Sequence, residues 1–455
     1  MIKLLLLLSS LFNLFLWFSH DDISYAISFA PLISILLSVF SIIHFRDRCL
    51  IFRLIYLLFV GILIFNTSWY FTFLFNQQKV YIILFEKGIT YSAFMKSNFL
   101  LGISLPLISL GYLVNNSNIT FQRNKYENVP LFVLLLATVI FLGLSLYDSG
   151  LTIGALYVGE GSVWYMLLVR FMMLSACAFA YTYTISNNNY SLVNLLLKNK
   201  FFPIISLLFI FYVLIGGDRG PVLTLLLIVG SSWLLMNKGK IRKTNVAVIF
   251  VSVLIVTSTF QLISVLRGSE FGAAFKFDNI GAYANLEEDD YMLGSSQLCT
   301  YLAIQGIESG RISHSLGLYF ITALIQSIPY LGRKLVQSVG LEFFSGGSAQ
   351  LITEYYYGKF PTSGLGTTYL ADIYIEFGLI GVVIISFIFG YFVKHIENLA
   401  QSRSLLSFPK FCFVMFFVGY SVYTGRATIY TFLIYYIHAM FFYYIVAFLY
   451  KHIRR

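Results

Sequence analysis

Two arginines stand where an apolar run gives way to a turn, Arg219 in Ile215-Gly216-Gly217-Asp218-Arg219-Gly220-Pro221 and Arg267 in Leu266-Arg267-Gly268-Ser269-Glu270. A guanidinium is a planar, permanently charged fork that grips phosphate oxygens in pairs, and flanking glycine lets a backbone approach an anion closely. Arg426, in the turn Thr424-Gly425-Arg426-Ala427, and Arg311 are further candidates for the same work. Against these cations stand Asp372 and Glu376, four residues apart and so on one helical face. His314 lies in the longest connection, and imidazole is the side chain that changes protonation near neutral pH, as a general base must.

What must position these groups is a membrane bundle. Of 455 residues, 58% are hydrophobic and 11% charged, a composition that a soluble domain of this size could not cover with polar surface. Apolar windows of about 17 to 25 residues, enough to cross about 30 Å of hydrocarbon, recur almost from end to end. Twelve are expected, near residues 2–19, 24–43, 50–73, 92–114, 129–147, 162–185, 201–216, 221–236, 245–266, 368–393, 409–424 and 428–450. The first reads as an anchor, since no small-residue cleavage site precedes His20, Asp21 and Asp22. Lys and Arg gather in alternate connections, Arg46 and Arg48, Arg123 and Lys125, Lys198 and Lys200, Lys238 to Lys243, Lys394 to Lys410, and the tail, which predicts both termini on the cytoplasmic side. Arg219 and Arg267 then fall on the outer face, against the usual bias, which suggests that they hold an anion.

The net charge of +10 is scattered over short inner loops, not gathered on one face, so it argues for orientation and against nucleic acid. The chain lacks G-x-x-x-x-G-K-[ST], which argues against a pump driven by its own ATP hydrolysis. Cys49, Cys177 and Cys412 lie in or beside spans and Cys299 is alone in an outer loop, so neither a disulfide framework nor a metal site is expected. The acidic run Glu287 to Asp290 has the oxygen ligands of a divalent cation site, but such runs are more often simply solvated.

The stretch from 267 to 367 is the one large connection, expected on the outer side within a single transmembrane domain of residues 1–455. An apolar segment near 317–328, too short to cross and ended by Pro329, reads as an interfacial or re-entrant helix. Tyr355, Tyr356, Tyr357 and Tyr374 have the flat rings that stack on sugars, though Tyr also populates membrane interfaces. A carboxylate pair inside the outer leaflet needs a wet cavity or a cation, and Arg170, about two turns into the sixth span, is one in principle. Asp372 and Glu376 are therefore read as ordering a cavity or meeting arginine before either is read as the base.

The layout of twelve spans with a large outer loop before the tenth, Arg-Gly after the seventh and ninth, and Gly364-Leu365-Gly366 leading into Ala371-Asp372-x-Tyr374-x-x-Phe377-Gly378 resembles the O-antigen polysaccharide polymerases, the Wzy family. The resemblance implies an all-α, GT-C-like membrane glycosyltransferase in a bacterial inner membrane with its active site facing the periplasm. It implies transfer of a growing glycan from undecaprenyl diphosphate to a sugar hydroxyl of an incoming lipid-linked unit, with no cofactor. The partners it implies are the lipid-linked oligosaccharides, membrane lipid and a chain-length regulator protein. Its diphosphate ligands would be Arg219, Arg267, Arg426, Arg311 and Arg170, with His314, Asp372 and Glu376 at the reacting centre and Tyr355, Tyr356 and Tyr374 against sugar. A lipid-linked oligosaccharide flippase and an O-antigen ligase-like glycosyltransferase are the alternative readings.

Overall fold

The computed structural model describes residues 1–19, 27–44, 53–115, 129–149, 163–185, 199–216, 218, 220–236, 291–328, 331–359, 364–401 and 407–453. Arg219, Arg267, the expected span 245–266 and the acidic run 287–290 lie outside the described residues. Among those described, every regular element is helical: α1 (Ile2–Phe18), α2 (Ala30–His44), α3 (Leu54–Asn66), α4 (Ser68–Phe75), α5 (Gln77–Glu86), α6 (Tyr91–Val114), α7 (Leu131–Ser149), α8 (Val163–Ile185), α9 (Phe201–Ile215), α10 (Gly220–Met236), α11 (Tyr291–Glu308), α12 (Leu318–Gln326), α13 (Gly332–Ser338), α14 (Gly347–Tyr357), α15 (Tyr369–Gln401), α16 (Phe408–Ser421) and α17 (Thr431–Ile453). Six of these helical segments are long and apolar enough to cross a membrane, or seven if α3 and α4 count as one broken span. Hydrocarbon offers no hydrogen bonds to a backbone, so segments of this composition must satisfy their own, as helices do.

The centre is α6, which is buried all round although it carries Lys96, Asn98 and Ser104 among its apolar residues. It packs on α1, α2, α11 and, most extensively, α15. Gly111 lies against the backbone of Phe387 and Tyr391, and Gly390 against the backbone of Ile108, so a side chain at either position would force the two helices apart. Outward faces carry bare apolar side chains such as Phe15, Phe132 and Phe211, as lipid contact requires.

Three expectations need correction. The span expected at 50–73 is bent by 59° between α3 and α4. The bend is stabilised from elsewhere in the chain: Gln297 accepts from Trp69 N at 2.8 Å and donates to Asn66 O, satisfying backbone groups that the break releases. The stretch expected as an outer loop contains a buried helix, α11, and Cys299 is interior to it. Burial pushes the Cys299 thiol up to about 12, which leaves it inert as a nucleophile. The segment expected near 317–328 forms α12.

The third correction concerns α15, which matches the expected span 368–393 but is not one straight crossing. Ser104 Oγ sits 3.0 Å from Tyr369 Oη and 2.8 Å from Ser386 Oγ, two residues that a straight helix would hold about 25 Å apart. Ile373 also touches the position of Gly381. The chain therefore doubles back at Gly378, the one residue in α15 with non-helical angles, φ 64 and ψ −159. Residues 369–377 form a short arm of about 13 Å, and residues 379–401 a long one of about 34 Å that suffices to cross.

Candidate functional site

The reversal at Gly378 leaves the last carbonyls of the short arm without partners inside the helix. The strand of chain between α11 and α12 supplies them: Ser315 N donates to Ile375 O at 3.1 Å and Leu316 N to Glu376 O at 2.8 Å. That pairing fixes His314. Its Nδ1 lies 3.3 Å from Ile375 O, its ring stands edge-on to Tyr374 at 5.8 Å, and Gly378 leaves room for it. A carbonyl can only accept, so Nδ1 carries the proton and Nε2 presents a lone pair. The imidazole is exposed.

Asp372 and Glu376 are both buried on the short arm, and each is occupied by the start of a short helix. Glu376 Oε2 accepts from Ser315 Oγ at 2.6 Å and Oε1 from Phe320 N at 2.8 Å, with the N–H groups of Gly317 and Tyr319 also facing it. It caps the N-terminus of α12, where unpaired N–H groups and the helix dipole favour an anion. Asp372 Oδ1 accepts from Ser348 Oγ at 2.7 Å at the first turn of α14, and the Ile429 N–H faces the same carboxylate. The pair thus ties two short helices to α15. Glu376→Gln, which keeps an acceptor, is expected to melt within a few degrees of the wild type, whereas Glu376→Ala strands buried N–H groups and costs about 1–3 kcal/mol. Thermal melts of the purified variants check this, and an alanine variant as stable as the wild type would mean that the carboxylate does not hold the start of α12.

Arg170 does not meet these carboxylates. Its Nε donates to His438 Nδ1 at 2.9 Å, its Nη1 to Met166 O at 2.8 Å, and its guanidinium lies over the Tyr435 ring at 5.5 Å. His438 also faces the Gln326 carbonyl, so this cluster holds the far end of α12. Arg426 and Arg311 are both exposed, Arg426 in the short turn Val422–Arg426 and Arg311 in the turn that ends α11. Tyr355 and Tyr356 are half-buried on α14, and Tyr374 is 6% exposed, which makes it a wall behind His314 and not an open platform for a sugar.

Arg219 lies outside the described residues, but its neighbours on either side do not. Asp218 Oδ1 accepts from Gly220 N at 3.1 Å, starting α10, and Asp218 Oδ2 accepts from Tyr165 Oη at 2.8 Å. Tyr423 lies against Gly220. The turn holding Tyr423 leads along the chain to Ile429, which meets Asp372, and to Tyr430, whose ring meets Phe320 at 5.2 Å beside Glu376. His314 and Tyr374 follow, and then a group that sequence reading passed over. Trp17 stands edge-on to Tyr374 at 5.6 Å, the Lys96 ammonium lies over the Trp17 ring at 5.6 Å, and Lys96 is ion-paired with Glu308. The signal was present, since an ionisable residue inside an apolar span is a functional candidate by default.

Protein-family models, curated proteins and solved structures were all compared with the chain, and none matches it.

Proposed function

We propose that the chain is a membrane glycosyltransferase of the O-antigen polymerase type, acting on undecaprenyl-diphosphate-linked oligosaccharide. In this reading it crosses a bacterial inner membrane twelve times with both termini cytoplasmic, and the end of the bundle that carries His314 faces the periplasm. The observation that supports it most is the exposed imidazole of His314, held through Nδ1 on the Ile375 carbonyl at the reversal of α15, with no partner for its Nε2 among the described residues. Such a group suits an acceptor hydroxyl that must lose a proton.

The step follows from that arrangement. The acceptor oxygen attacks the anomeric carbon of the donor sugar, a new carbon–oxygen bond forms, and the bond from that carbon to the diphosphate oxygen breaks. The hydroxyl proton passes to His314 Nε2, and the electron pair leaves on the diphosphate. Arg219 and Arg267 would hold that diphosphate, where charge grows as the bond breaks and a fixed guanidinium therefore favours the transition state over the ground state. Arg219→Ala and Arg267→Ala are each expected to reduce chain elongation by about a hundredfold or more, scaled on the loss of a single charge-stabilising donor elsewhere. A lipopolysaccharide ladder of normal length at normal protein level would remove the assignment.

One observation favours a second reading, a lipid-linked oligosaccharide flippase. Polar clusters stand at both ends of the α6–α15 pair: Lys96 of α6 with Glu308 of α11 at one, and at the other Tyr112 Oη donating at 2.8 Å to both oxygens of Glu397, itself 3.5 Å from Lys394. Paired charges at both ends are what alternating access would use. Purified protein given a defined lipid-linked repeat unit separates the readings, because longer glycan requires transfer, while a flippase moves the unit unchanged. An added lipid A core as acceptor identifies a ligase.

A further inference from the structure

Lys96 is a cation with little access to water, 11% exposed in its side chain, while its partner Glu308 is 35% exposed. The asymmetry has a structural source. Lys96 projects from the first turns of the central helix α6 under the Trp17 ring, whereas Glu308 is the last residue of α11, at the edge of a turn carrying exposed Arg311 and His314. Glu308 can rotate into water at small cost, since among the described residues its side chain is held by Lys96 alone. Lys96 cannot follow, and a buried ammonium left alone is costly, so whatever removes Glu308 must bring a negative charge of its own.

We propose that Lys96 is an anion-binding subsite whose occupant in the resting protein is Glu308, displaced when a phosphate or carboxylate arrives. The ring of Trp17 stabilises the ammonium from one side whichever anion is present. The ligand class is a compact anion at a point joined to the His314 imidazole through the rings of Trp17 and Tyr374, from one of two sources: the diphosphate of a polyprenyl-linked donor, or the carboxylate of an acidic sugar in the glycan. A diphosphate outcompetes Glu308 through its greater charge, and a sugar carboxylate does so only with help from contacts to the rest of the glycan. The inference rests on the glycosyltransferase reading for the identity of the ligand and on Lys96 and Glu308 alone for the existence of the site.

The test measures binding without turnover. Full-length protein in detergent is titrated with inorganic pyrophosphate and, separately, with glucuronate, by calorimetry, for the wild type, Glu308→Gln and Lys96→Gln. Removing the competitor should tighten pyrophosphate binding in Glu308→Gln by about fivefold or more, and Lys96→Gln should abolish that gain. Stronger tightening for glucuronate than for pyrophosphate assigns the sugar source, and the reverse assigns the diphosphate. A purely structural ion pair predicts no such gain, so unchanged or weaker binding in Glu308→Gln overturns the proposal. An aggregated Glu308→Gln protein also overturns it, because a displaceable counterion must be dispensable for folding. Elongation by the wild type with no gain in Glu308→Gln would sink the subsite and spare the transferase, and a gain without elongation would do the opposite.

Discussion

Gly378→Ala is expected to lower the melting temperature of the purified protein by several degrees and to abolish glycan elongation. The angles φ 64 and ψ −159 lie in a region open essentially to glycine alone, and holding another residue there costs about 1–3 kcal/mol. An added Cβ also meets the His314 ring at 3.3 Å, tighter than carbon atoms usually approach. Relief by straightening α15 would be worse. Tyr369 and Ser386 could no longer share Ser104, and Ile375 O and Glu376 O would lose Ser315 N and Leu316 N. Gly143→Ala provides the comparison, because nothing lies within 4 Å of a Cβ there and alanine outranks glycine in a helix by about 1 kcal/mol. Its melting temperature should hold or rise. A Gly378→Ala protein as stable as the wild type would mean that the chain does not reverse at that position.

The reversal also shows what the sequence could convey. Hydropathy located the helices α1, α6, α7, α8, α9, α10, α16 and α17 to within about three residues and the end of α2, because an unbroken apolar run satisfies its backbone most simply as a helix. The same criterion fused α3 with α4 and the two arms of α15, since composition does not change where the chain bends. A bend needs a partner for released backbone groups, and those partners are remote: Gln297 for Asn66 and Trp69, Ser315 and Leu316 for Ile375 and Glu376. α11 was missed for a related reason. Its Ser296, Gln297 and Thr300 read as loop residues, yet all are buried, and Thr300 pairs with Thr368 at 2.7 Å where the chain enters α15. Gln297, Ser315 and Thr300 stand where helices break, and only the fold shows which break each one serves.

The candidate site divides along the same line. Residue type and placement in the large connection were enough to single out His314, and spacing was enough to put Asp372 and Glu376 on one helical face. What spacing could not convey is that those carboxylates are consumed by the starts of α14 and α12, or that Arg170 belongs to His438 and Tyr435. Lys96 was legible as an ion in an apolar span. Its partner was not, since Glu308 is 212 residues away.

Because both carboxylates are occupied, the proposed transferase reading assigns proton transfer to His314, and in that reading His314→Gln is expected to slow elongation by about 10²- to 10⁴-fold at unchanged protein level. Glutamine keeps a donor for Ile375 O, so the substitution removes the base and leaves the hydrogen bond that ties this turn to the short arm of α15. The loss should fall on kcat, because a base acts in the transition state and adds little to ground-state binding. A KM that stays near the wild-type value while kcat falls is a readout that mere damage to the fold would not produce. Elongation assayed on purified protein with a defined lipid-linked repeat unit, beside a melting curve, measures both quantities. A His314→Gln protein that keeps the wild-type rate would place the base on another residue.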